Sequence, residues 1–153
     1  MDIRHAANEK VVAHLTARDD PAPLLAEPDS VEDPYYRLGS HPDIVERVWD
    51  ELGALFPREA RRIVCGTPGL VHPGSGVIFA LAYGTRYLLR LPGGLAEEAV
   101  RAGAVTFVRW TGGSETDARR SLGEDWVFGA WLKQEPEWVQ QAYDIVGGLG
   151  PEG

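Results

Sequence analysis

Arg86 and Arg90 stand in the apolar run Arg86-Tyr87-Leu88-Leu89-Arg90-Leu91, and they are the residues best suited to chemistry. A guanidinium presents a planar fork of donors that matches a carboxylate or a phosphate. Four positions apart on an extended chain, both side chains point to the same side. The preceding run Gly76-Val77-Ile78-Phe79-Ala80-Leu81-Ala82-Tyr83 reads as a partner strand, with Gly84-Thr85 as a two-residue turn. In that register Tyr83 opposes Arg86, Leu81 opposes Leu88 and Phe79 opposes Arg90. One face then carries Ile78, Ala80, Ala82, Tyr87, Leu89 and Leu91, small residues against large, which suits a helix-covered core. The other carries Phe79, Leu81, Tyr83, Arg86, Leu88 and Arg90. Two uses of it compete. The arginine stems lie over Phe79 and Tyr83 with their heads in water, or the face floors a groove where Arg86 and Arg90 receive an anion or an acidic partner. As a surface change, Arg90→Ala is expected to cost within about 1 kcal/mol.

A second candidate is the run Thr67-Pro68-Gly69-Leu70-Val71-His72-Pro73-Gly74-Ser75, read as a loop punctuated by proline and glycine. The hydroxyls of Thr67 and Ser75 and the imidazole of His72 could polarise a substrate there. No acid is placed to orient His72 and no nucleophile elbow is present, so a turn defined by its glycines and prolines is the simpler reading. Gly74-Ser75-Gly76 lacks the spacing and the lysine of a phosphate-cradling loop. The histidines His5, His14, His41 and His72 are far apart, and one cysteine, Cys65, cannot build a structural zinc site, so no metal or cofactor is expected. Cys65 reads as a small hydrophobe within a strand from Arg61 to Gly66. Glu115, Asp117, Glu124 and Asp125 bracket a loop without a fixed separation. Trp110, Trp126, Trp131 and Trp138 suit core and rim as well as a pocket. No catalytic residue is assigned.

Composition bounds these possibilities. The chain has 153 residues, 44% hydrophobic and 25% charged, which fits one globular domain. Its net charge of −8, with arginines scattered among carboxylates, disfavours nucleic acid and anionic membranes as partners. The apolar runs are too short to span a bilayer, the first residues lack a signal core, and a lone cysteine suits a reducing cytoplasm.

The elements that must position these residues follow from periodicity. Residues 1–18 read as a helix through Ile3, Ala7, Val11 and Leu15. From Asp19 to Pro34 there are six acidic residues, four prolines and no basic residue, which predicts an extended connector or wrapping arm. Residues 1–39 are therefore separated from an α+β domain over 40–150. That domain opens at Ser40-His41-Pro42-Asp43, a helix start, with Ile44, Val45, Val48, Leu52, Leu55 and Phe56 as its buried stripe. Trp49 lies at the edge of the stripe. After the hairpin come a short helix over 95–102, strands over 104–110 and 126–131, and a final helix through Val139, Ala142, Tyr143 and Val146. Adjacent hairpin strands with helices at the two ends predict an antiparallel sheet of about five strands, covered on one face.

From residue 43 to about 147 the pattern resembles the TfoX N-terminal and MmcQ/YjbR-like group of small bacterial α+β domains. The likeness is carried by the leading helix and by Gly76-Val77-Ile78-Phe79-Ala80-Leu81 with its partner Tyr87-Leu88-Leu89-Arg90-Leu91. Glu97-Glu98, Asp125-Trp126-Val127 and the closing helix from Glu137-Trp138 to Val146 complete it. It implies a link to competence regulation and DNA, against which the charge stands, and it carries over no catalytic residues. The expected function is a non-enzymatic interaction domain, regulatory or immunity-like, that binds a protein or a small anionic ligand through Arg86, Arg90, Phe79 and Tyr83. The alternative is an enzyme using Thr67, His72 and Arg90 on an anionic substrate, and a DNA-associated regulator stands third. A homodimer through the uncovered sheet face is a further expectation.

Overall fold

A computed structural model describes residues 1–17, 22–106 and 122–150. A 3-10 turn over Ala6–Asn8 leads into α1 (Glu9–Thr16), followed by β1 (Leu25–Ala26), α2 (Pro34–Arg37) and α3 (Pro42–Glu46). Then come β2 (Arg61–Val64), β3 (Thr67–Val71), β4 (Ile78–Tyr83), β5 (Arg86–Arg90) and α4 (Leu95–Arg101). The order ends with β6 (Val105–Thr106), β7 (Trp126–Phe128) and α5 (Glu135–Gly147). The class is α+β, as the helix and hairpin patterns predict. Among the described residues seven strands make one antiparallel sheet in the order β1-β2-β3-β4-β5-β7-β6, rather than about five.

The additional strands have two sources. Leu25 and Ala26 of the acidic arm pair with Val64 and Ile63, so part of the expected connector is an edge strand. The run from Arg61 to Val71, expected as a strand and then a loop, is a hairpin that turns at Cys65-Gly66, with φ of 48° and 79°. Positive φ at both central residues matches the right-handed twist of the flanking strands. Thr67 therefore sits in buried β3, paired with Val64, and not in a loop.

The hairpin of β4 and β5 turns at Gly84-Thr85, and Ala80↔Leu89, Leu81↔Leu88, Ala82↔Tyr87 and Tyr83↔Arg86 pair as its alternation predicts. Against β3, however, Leu70 faces Ala80 while Val71 faces Ile78, so β4 carries one extra residue at Phe79. Such a bulge reverses alternation beyond it. Phe79 consequently packs on the helix-covered face beside Ala80, and Ile78 moves to the other face, opposite to both expectations.

Helices cover both faces rather than one. Ile44, Val45, Val48 and Leu52, Ala96 and Ala99 of α4, and Val139, Ala142 and Val146 of α5 bury one side of the sheet. Ile3 with Val11 and Leu15 of α1 buries Val71, Ile78, Leu81, Leu88, Trp126 and Phe128 on the other. Each such large side chain contributes about 1.5–3 kcal/mol when removed from water, too much for this face to stay open. The helix also docks through Asn8. Its Nδ2 donates to the carbonyls of Ile3 at 2.9 Å and Gly76 at 2.8 Å, and its Oδ1 accepts from Ile78 N at 2.9 Å. Gly76 has φ +78°, and a Cβ there would lie 1.9 Å from Asp2 O, so the approach requires glycine. The uncovered face expected for a dimer is therefore filled by the chain's own first helix.

After α3 the chain widens into a π-helical turn over Arg47–Leu52 and tightens again over Gly53–Leu55. Arg47 and Trp49 are buried in this wide turn, although a regular 3.6-residue repeat places them at the margin of the stripe. Trp49 is buried and its Nε1 donates to Gly69 O at 2.9 Å.

Candidate functional site

The two arginines of β5 do emerge on one side of the sheet, but beneath α1. The Arg86 guanidinium lies 4.5 Å above the Phe128 ring, and Arg90 Nη1 donates to Ala7 O at 3.1 Å. Burial lowers the Arg90 pKa, with Asp125 opposing. Tyr83 is half-buried, with its hydroxyl 3.2 Å from His14 Nε2 and its ring stacked on that imidazole. Tyr83 and Arg90 thus tie the first helix and the turn before it to the sheet, while Arg86 lies on Phe128 of the sheet itself.

The other expected site residues are dispersed. Thr67 and Tyr83 line one cleft of about 370 Å³ with His14 and Ser40. Arg90 lines a different one, of about 330 Å³, with Lys10, Glu124 and Asp125. His72 is on the opposite side of the sheet, its ring 4.3 Å from that of Tyr143, which also meets Phe79 at 5.5 Å. Its Nδ1 accepts from Gly74 N at 3.0 Å and Ser75 N at 3.1 Å, so the imidazole organises its own turn. Burial lowers the His72 pKa, with Asp144 opposing. Glu115, Asp117 and Trp110 lie outside the described residues, as does most of the strand expected over 104–110.

The strand expected over 126–131 stops at Phe128, because the next residues close a buried polar cluster instead. Glu135 Oε1 accepts from Arg47 Nη2 at 2.9 Å and from the Tyr87 hydroxyl, while Oε2 accepts from Ala130 N at 2.8 Å. The Tyr87 oxygen in turn accepts from Trp131 N at 2.9 Å and Arg47 Nε at 3.3 Å, and Arg47 Nη1 reaches Glu51 at 3.0 Å. Trp131 is held at φ 57°, half-exposed, with its ring 4.9 Å from the Arg47 guanidinium. Burial and then the Glu135 hydrogen bond raise the Tyr87 pKa. Gly129 must be glycine, because a Cβ would fall 1.7 Å from the Tyr87 ring. Both Glu135 oxygens and the Tyr87 hydroxyl are partnered within the protein, which is the arrangement of a structural clasp.

A more open arrangement lies between the acidic arm and the start of β2. A cleft of about 470 Å³ is lined by Pro28, Val31, Pro34, Tyr35 and Trp49, by Arg58, Arg61 and Arg62, and by Glu27, Asp29 and Glu59. A 3-10 turn over Arg58–Ala60 and the first two residues of β2 present the three arginines. Arg61 Nη1 meets Asp50 at 3.3 Å, and Arg62 Nη1 meets Glu27 at 3.2 Å. Their Nε atoms are enclosed with no acceptor among the described residues, so each head is held through one end of its fork. Tyr35 donates to both oxygens of Asp50, at 3.0 and 2.8 Å, and stands edge-on to Trp49. Burial, then Asp50, pushes the Tyr35 pKa up to about 12. Arginines and apolar side chains that line one cleft can hold a carboxylate or phosphate whose body is apolar. The sequence reading missed this cleft. Its only local sign was Arg58-Glu59-Ala60-Arg61-Arg62, three arginines in five residues, facing an acidic arm far away in the chain.

Among the described residues no group of three or more His, Cys, Asp or Glu is arranged to hold a metal ion, and no helix is long and apolar enough to cross a membrane. Comparison of the chain with family models, curated proteins and solved structures returned no match.

Proposed function

We propose that the protein is a non-enzymatic, cytoplasmic binding module that takes a small anionic ligand, a carboxylate or phosphate on an apolar body, in the cleft between the arm and β2. The observation that carries this reading is that Arg58, Arg61 and Arg62 line one cleft together with Val31, Pro34, Tyr35 and Trp49. The volume falls within the ~300–1,000 Å³ typical of small-molecule sites. The binding role expected for Arg86 and Arg90 thus moves to the arginines of this cleft. What favours binding over catalysis is the use of His72: its Nδ1 is committed to two backbone donors, and Arg90 lies on the other side of the sheet.

Benzoate and phenyl phosphate are suitable probes. At about 0.3 kcal/mol per non-hydrogen atom, a ligand of this size binds with a Kd on the order of 10 mM. Titration followed by ¹H–¹⁵N correlation spectra should give saturable shifts at Arg58, Arg61, Arg62 and the Trp49 indole, and Arg62→Ala should weaken them. Absence of saturable shifts at these positions, or binding untouched by Arg62→Ala, would overturn the reading.

A further inference from the structure

The two carboxylates that meet the cleft arginines are held very differently. Asp50 sits in the wide turn after α3, and the Tyr35 hydroxyl is shared between its two oxygens, so it is held in place. Glu27 belongs to the arm. Its side chain is 72% exposed, and it reaches Arg62 through a single contact of 3.2 Å. Its backbone is well anchored: β1 pairs with β2 directly before it, and both Ser30 N and Ser30 Oγ donate to Glu27 O, at 3.0 and 2.6 Å. The arm thus brings one loosely held carboxylate to an arginine that lines the cleft.

We infer that Glu27 is a built-in occupant of the anion position on Arg62, displaced when an external carboxylate enters. This inference rests on the binding function proposed for the cleft. A tethered carboxylate competes at a high effective concentration however dilute the external ligand is. Because the resident group is an exposed monocarboxylate making one contact, its competition is modest, and a single carboxylate is enough to replace it. The arm thereby sets the affinity of the site through one side chain, while its backbone stays paired with β2.

The test compares benzoate Kd values for the wild type, Glu27→Gln and Asp29→Asn, at one ionic strength. Glu27 and Asp29 both line the cleft and both substitutions remove one negative charge, but only Glu27 is paired with a cleft arginine. Glu27→Gln should tighten binding roughly two- to fivefold, the range of an exposed ion pair, and Asp29→Asn should have a clearly smaller effect. Backbone resonances of residues 27–30 should also shift when benzoate binds the wild type. Equal gains from both substitutions would mean general electrostatics and would overturn the inference while leaving the cleft reading intact. Unchanged affinity in Glu27→Gln would do the same. If neither the wild type nor Glu27→Gln binds benzoate, the cleft reading itself falls and the inference with it.

Discussion

Replacing Glu135 with alanine removes the shared acceptor of three donors at once: Arg47 Nη2, the Tyr87 hydroxyl and Ala130 N. The Arg47 side chain is only 10% exposed and that of Glu135 2% exposed, so the guanidinium is left charged in a mostly enclosed place. Breaking a buried pair from one side costs about 3–5 kcal/mol. Glu51 still reaches Arg47 Nη1, and the Trp131 ring still lies against the guanidinium, which places the expected loss near the lower end, about 3 kcal/mol. For a chain of this length each kcal/mol lowers Tm by roughly 2–4 °C, so the variant should melt about 6–12 °C below the wild type. Urea unfolding followed by tryptophan fluorescence gives the free energy directly. A double change, Arg47→Met with Glu135→Leu, should recover only the part of the loss due to the stranded guanidinium, because the Tyr87 hydroxyl and Ala130 N still lack their acceptor. A loss under about 1 kcal/mol in Glu135→Ala would show that water reaches Arg47 and that the clasp contributes little.

Two further outcomes follow from the same contacts. Arg90→Ala, expected from sequence to be nearly silent, should instead cost about 1.5–3 kcal/mol, because it deletes a charged hydrogen bond to Ala7 O beneath the first helix; urea unfolding within 0.5 kcal/mol of wild type would refute this. Burial lowers the pKa of both His14 and His72 below the ordinary 6.5, so between that value and their folded pKa values the unfolded chain binds more protons. Stability is then complete above pH 6.5 and falls as pH drops through the folded values. Imidazole NMR titrations should place both midpoints below 6.5, and midpoints above it would contradict the sign.

The hairpin of β4 and β5 was legible because two local signals agree: a glycine-led turn, and small residues opposite large ones. The bulge at Phe79 was not, since Ile78 and Phe79 are both apolar and either could face either side. Cys65-Gly66 does not read as a turn because cysteine seldom adopts positive φ, and its apolar neighbours extend a strand pattern through it. The cover over the second face depends on Asn8 meeting residues far along the chain, which no periodicity encodes. The arginine cleft escaped for a related reason. Glu27 and Arg62 lie 35 positions apart, and only the pairing of β1 with β2 brings the arm to the arginines.

The Asn8 clasp has a consequence for how the chain acquires its shape during synthesis. The amide binds partners 68 and 70 residues downstream, and the surface that receives α1 is finished only by β7. At roughly 5–20 residues per second, residues up to Phe128 emerge some 6–22 s after α1. For that interval the oily stripe of Val11 and Leu15 has no seat, and the half-built sheet shows its bare side to the cell. The first helix is thus made long before its seat, and the chain between them stays adhesive until β7 arrives.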